Sequence, residues 1–162
     1  MKKGNFVLLL FFVFWATSCE ITQLNQPDDE EEIDVVEGPT VAPTSTAEFE
    51  NLFHGGGQRS WKTISFTFMG VGGIQDCRLD DSMTINADGT YEYDGGANLC
   101  GAEDSERVRT GTWEVTNDGR NIVFDSGTVN EYTADVTGAE DDQIALSGQY
   151  IGLNVSGVYQ IN

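Results

Sequence analysis

The sequence predicts an all-β fold, an antiparallel up-and-down meander of about eight strands closing as a β-barrel, with one short N-terminal helix. Three observations predict it. From Ser60 onward apolar residues recur with period two, polar residues standing between them. Asp-Gly pairs punctuate that pattern in "NADGT" and "TNDGR", the strongest short-range signal for a hairpin. No helical period occurs after residue 60.

The chain opens with "MKKGNFVLLLFFVFWATSC". Lys2 and Lys3 give a positive start, Phe6 to Trp15 an apolar run, and "ATSC" small residues before a cysteine. The apolar run has ten residues, and a spanning helix needs about 20. The pattern therefore reads as an export signal over residues 1–18. It resembles the lipobox of bacterial lipoproteins, in which small residues precede the lipid-carrying cysteine. That resemblance implies cleavage before Cys19, lipidation of Cys19 and attachment of the domain to a membrane.

From Glu20 to Ser45 the composition shifts. This stretch holds all three prolines, the acidic block Asp28 to Glu32 and no aromatic residue. Such a segment buries too little apolar surface to offset its ordering entropy, so residues 19–45 are expected to be a disordered acidic tether. Its "QPDDEEE" resembles the surface-export signal of Bacteroidetes-type lipoproteins. That implies an outer-membrane protein facing outward, with a periplasm-facing one as the alternative.

"STAEFENLF" predicts a helix. Ser45 and Glu48 have capping-box spacing, Phe49, Leu52 and Phe53 share a face, and "HGGG" ends it. The strands follow in order. Ile64, Phe66 and Phe68 mark the first; Met83 with Ile85 and Tyr91 with Tyr93 mark a hairpin turned at Asp88–Gly89. Trp113 with Val115 and Ile122 with Phe124 mark the next hairpin. Tyr132, Ala134 and Val136, then Ile144 and Leu146, then Ile151, Leu153, Val155, Tyr159 and Ile161 complete the meander. One buried face per strand requires either a closed barrel or two packed sheets, and closure also removes free edges.

"SWK", "C-x-x-DD" leading to "DGTYEY", and "GTWEV" leading to "DG" and "IVF" resemble the lipocalin-like domains of bacterial secreted lipoproteins. The resemblance covers residues 46–162 and rests on Trp61, Cys77, Asp80, Asp81, Asp88, Gly89, Cys100, Gly111 and Trp113. It implies a barrel scaffold without catalytic residues. Gly57 stands four residues before Trp61 and the last strand carries no basic residue, so no particular ligand comes with it.

Charge and residue types exclude several chemistries. The formal net charge is −19, which argues against nucleic acid, since no basic stripe exists to displace counterions from phosphates. In an exported chain Cys77 and Cys100 are expected to pair as a disulfide, two free buried thiols being the alternative. With His54 the only histidine, neither a zinc site nor a Ser-His or Cys-His pair is expected, and His54 reads as an exposed loop residue. "DDSMTINADGTY" lacks the ligand spacing of a calcium loop. Paired carboxylates for glycoside hydrolysis stay open in so acidic a chain.

The aromatic residues Trp61, Phe66, Phe68, Tyr91, Tyr93, Trp113, Phe124, Tyr132 and Tyr159 are the candidate barrel lining, either around a ligand or simply filling the core. Trp61 has the opposite parity to Phe66 and Phe68, so these are not all expected to face inward. The resulting expectation is a monomeric, membrane-anchored lipoprotein needing no cofactor or metal. Its non-catalytic barrel would bind a small apolar or carbohydrate ligand. The alternative is a structural or protein-interaction module of the envelope with a filled barrel.

Overall fold

The structure is a computed structural model that describes residues 36–100 and 106–162. The expected signal peptide, Cys19 and the tether as far as residue 35 lie outside the described residues.

Among the described residues there is one α-helix, α1 (Thr46–His54), and nine strands. These are β1 (Gln58–Phe68), β2 (Val71–Gly72), β3 (Ser82–Asn86), β4 (Thr90–Asp94), β5 (Val108–Thr116), β6 (Asn121–Phe124), β7 (Tyr132–Ala139), β8 (Gln143–Tyr150) and β9 (Leu153–Ile161). Every pairing is antiparallel. Strands β3 to β9 pair in sequence order, and β1 joins β3 to β9, closing an eight-stranded barrel. The two-residue β2 was not expected from the sequence; it folds back on the end of β1 through Thr67 and Phe68.

Closure depends on β1 changing partners. Its first four residues, Gln58 to Trp61, pair with β3, and Trp61 to Phe68 pair with β9. The β9 register slips at Ile64, which is left between the pairs Thr63–Tyr159 and Ser65–Val158. A bulge of one residue inverts the inward and outward alternation beyond it. Trp61 and Phe66 therefore both face the interior, which unbroken alternation would forbid. A second bulge at Thr137 on β7 does the same between Val136 and Gly138.

The helix closes one end of the barrel. Ser45 Oγ accepts from Glu48 N at 3.2 Å, while Glu48 Oε2 accepts from Thr44 N at 2.8 Å and Thr44 Oγ1 at 2.6 Å. The expected cap thus forms, with the reciprocal bond displaced by one residue to Thr44. Gly55 ends the helix in the left-handed conformation. Phe49 and Phe53 are buried, and the Phe53 ring meets Trp113 edge-on at 5.2 Å and stacks on Phe49 at 5.2 Å. Trp61 Nε1 donates to Phe53 O at 2.9 Å, so a core indole also satisfies a carbonyl of the last helical turn. Beneath the helix, the β5–β6 turn approaches so closely that a Cβ on Gly119 would lie 2.6 Å from Ser45 O. With φ of +88° that position also suits glycine alone.

The segment from Val36 to Ser45, assigned by sequence to the tether, lies across the outside of the barrel. Ser65, Val158, Ala145 and Gly138 are successive register partners on β1, β9, β8 and β7, forming a row of small outward residues. The strap crosses that row: a Cβ on Gly38 would sit 2.7 Å from Val158 Cγ2, and Ala139 N donates to Val41 O at 3.0 Å. Pro39 and Pro43 are buried in consequence. The sequence obscured this because proline and glycine read as a linker, whereas here they provide close approach to a flat row.

At the opposite end, Cys77 and Cys100 form the expected disulfide, with Cα atoms 5.4 Å apart. It ties the segment before β3 to the segment after β4, at the end of the hairpin away from Asp88–Gly89. Asp80 Oδ2, accepting from Ala97 N at 2.7 Å, joins the same two segments. Replacing Cys77 and Cys100 together by alanine removes a constraint on a loop of about 24 residues and is expected to lower stability by roughly 3 kcal/mol. Urea denaturation of the variant and parent checks this. Phe53→Ala is expected to lower it by about 3 to 5 kcal/mol in the same assay, because the site cannot collapse around the cavity left in the plug.

Candidate functional site

Between the helical plug and the disulfide end lies an internal cavity of about 270 Å³. Its floor is Phe53, Trp61 and Ile144, and its walls are mainly Phe66, Met83, Tyr91, Phe124, Tyr132, Leu146 and Tyr159. Six of the nine aromatic residues singled out by sequence line it: Trp61, Phe66, Tyr91, Phe124, Tyr132 and Tyr159. The other three face inward at the wrong depth. Trp113 lies below the floor against Phe53, its Nε1 donating to Asn86 O at 3.1 Å and Thr90 O at 3.0 Å. Phe68 sits at the rim, 41% exposed. Tyr93 stands above the cavity, its hydroxyl donating to buried Asp81 and accepting from Arg78 at 2.8 Å, with Arg109 4.5 Å over its ring.

Three inward glycines make the room that the tyrosines occupy. A Cβ on Gly111 would lie 2.6 Å from the Tyr91 ring, on Gly148 2.5 Å from the Tyr132 hydroxyl, and on Gly157 2.8 Å from the Tyr159 hydroxyl. Glycine within a strand marks close approach of another group; here the group is a phenol laid across the sheet. "TGT", "SGQ" and "SGV" carry that signal in the sequence.

The polar groups of the cavity are few. Tyr91 OH donates to Asp125 Oδ2 at 2.8 Å, and Thr112 N donates to Asp125 Oδ1 at 3.0 Å. Burial pushes the Tyr91 phenol up to about 12, reinforced by its hydrogen bond to the Asp125 carboxylate. Tyr159 is enclosed by protein yet keeps a surface on the cavity, and burial pushes it up to about 12 as well. Its hydroxyl has no hydrogen-bond partner among the described residues. Tyr93, on the mouth side, is raised to about 12 by burial and then by Asp81. Sequence reasoning missed Phe53, Met83, Asp125 and Asn130 as lining residues. The sequence pattern places Phe53 only on a helix face and Met83 only on a strand, and Asp125 directly follows the strand ending at Phe124.

Asp125 is the one carboxylate among the described residues lining this cavity, and Glu106 and Glu131 stand with it around the vestibule outside. His54, expected in an exposed loop, is instead half-buried at the end of α1. Its ring centroid lies 5.9 Å from that of Trp113, and its Nδ1 accepts from Gly56 N at 3.0 Å, at the plugged end.

Fold and cavity define a small closed antiparallel barrel, plugged by a helix at one end, with an aromatic-walled interior reached from the other. No family model matches the chain, and no curated protein matches it. Among solved structures, a lipocalin-like protein from Bacteroides uniformis ATCC 8492 is similar at 13% identity with a TM-score of 0.39, over 63% of this chain and 94% of that one. The barrel itself is established by the strand pairing and its closure through β1.

The raised tyrosines make a pH prediction. A phenol held neutral in the folded state stabilises fully below its unfolded value near 10, and that contribution is lost as pH rises through the folded value. Stability is therefore expected to fall between about pH 10 and pH 12. Denaturant midpoints across that interval, with phenolate absorbance recorded in parallel, check it.

Proposed function

We propose that this protein is a non-catalytic binding module whose barrel holds a small, mainly apolar molecule carrying one hydrogen-bonding group. One observation carries the reading: the cavity is apolar and aromatic, yet the Tyr159 hydroxyl opens onto it without a protein partner. A hydroxyl facing an apolar cavity offers a donor and an acceptor, which a ligand oxygen or nitrogen can pair. At about 270 Å³ the cavity lies just below the usual span of small-molecule sites, roughly 300 to 1,000 Å³. The ligand is therefore closer to a two-ring aromatic than to a lipid. A sugar would leave most of its hydroxyls facing Phe66, Met83, Phe124 and Leu146, so the apolar ligand is favoured over the carbohydrate.

The module is a lipoprotein in this reading, tethered through lipid on Cys19 to the outer membrane and facing outward. The lipobox-like "ATSC" and the acidic "QPDDEEE" support this. Two or more acyl chains anchor stably where one does not.

Two measurements test these claims. Calorimetry with 2-naphthol is expected to give one-to-one binding. Val155→Trp, which fills the cavity from its wall, is expected to abolish that binding, and Tyr159→Phe to weaken it about fivefold, the value of one hydrogen bond near 1 kcal/mol. Absence of binding by the parent, or equal binding by Val155→Trp, defeats the interior site. For the anchor, Cys19→Ala is expected to move the protein from the membrane to the soluble fraction; unchanged membrane association defeats lipidation.

A further inference from the structure

Among the described residues, eleven large hydrophobic side chains are exposed. Two of them, Val36 and Val41, belong to the strap. The other nine are Phe68, Met69, Val71, Leu79, Leu99, Val108, Val129, Tyr150 and Ile151. All nine lie at the mouth of the barrel, at the ends of β1, β4 and β8, the starts of β2 and β5, or in the loops beside them. Among the described residues the plugged end has none of these nine, although Val41 of the strap lies against Ala139 at the plug-side end of β7. Scattered exposed hydrophobics are ordinary, but a one-sided collection around an opening is not.

Two of these residues carry a second cost. Met69 and Ile151 occupy hairpin tips with φ of +53° and +52°, each followed by a glycine also at positive φ. Tips of this shape favour Asn or Asp in the first position, and a β-branched residue is the least suited to it. Met69-Gly70 and Ile151-Gly152 thus accept both exposure and backbone strain where Asn-Gly would avoid both. Nothing in the folding of the hairpins requires it.

We infer that the mouth rim is a membrane-docking surface, in which the apolar tips of separate hairpins insert into a zwitterionic lipid surface. The rim is a set of projections rather than a flat face. Met69, Val71, Val129 and Ile151 protrude from three different connections, and Val129 is fully exposed. Separate tips suit a fluid interface that closes around each of them, whereas a folded partner would need a matching pit for every one. The strongly acidic chain opposes anionic headgroups, which leaves zwitterionic lipid. Val108, Val129, Tyr150 and Ile151 also line the vestibule that shares Met83, Tyr91, Asp125 and Tyr132 with the cavity. Docking therefore presents the cavity mouth to the bilayer, where apolar ligands concentrate.

The test uses the chain from Glu20 to Asn162, which lacks the export signal and Cys19 and keeps the whole barrel and strap. The parent is expected to co-sediment with phosphatidylcholine vesicles. The double variant Met69→Asn with Ile151→Asn is expected to lose at least tenfold in partitioning while its Tm stays equal or rises, since asparagine relieves both tips. Failure of the parent to partition overturns the inference, as does equal partitioning by the variant or binding that requires phosphatidylglycerol. A dimer seen without lipid and abolished by the same substitutions overturns it too, assigning the rim to a second copy. The result does not depend on whether the cavity binds 2-naphthol, because the rim and the cavity rest on different residues.

Discussion

The double pairing of β1 is the constraint on which the rest of the structure depends. One edge of β1 meets β3 and the other meets β9, and without that shared strand the remaining strands form an open sheet with two edges. The bulge at Ile64 makes the sharing productive. It keeps Trp61 pointing inward where the helix needs it and turns Phe66 inward where the cavity needs it. A β1 with uninterrupted alternation would place one of those two aromatics outside.

From closure follows the asymmetry of the barrel. Phe53 and Trp61 in the floor pack with Trp113 beneath it, and each indole nitrogen donates to backbone carbonyl oxygen, so this end is sealed by both packing and polar satisfaction. The other end is held by a different kind of bond. The Cys77–Cys100 bridge, Asp80 on Ala97 N and Asp94 with Arg107 at 2.9 Å hold the connections around β3 and β4 from outside the core. These loops are fixed by a covalent bond, a hydrogen bond and a surface ion pair, and the interior above the floor is left unfilled. A small barrel stabilised only by its core would have to occupy that volume with side chains.

The outer face shows how a linker composition can conceal a structural element. Gly38 and Pro39 lie over a row of small residues drawn from four strands, and both bulges fall just before that row. The strap thereby buries Val158 and Ala145, which face outward and would otherwise be exposed apolar positions.

Much of this architecture was determined by sequence alone. Period-two alternation set the strands, Asp88–Gly89 and Asp118–Gly119 set two turns, and Ser45 with Glu48 set the start of the helix, because each depends on interactions within a few residues. The type of residue able to line a barrel was legible for the same reason. Tertiary structure decided what depends on distant neighbours. Register with β9 creates the bulge that brings Trp61 and Phe66 onto one face, depth along β4 separates Tyr91 from Tyr93, and the row of small residues turns a proline-rich stretch into a strap. Alternation specifies which side of a strand a residue occupies, but closure of the sheet specifies what stands opposite it. A cavity consists of those opposing surfaces, so its presence and its unpaired Tyr159 hydroxyl belong to the fold.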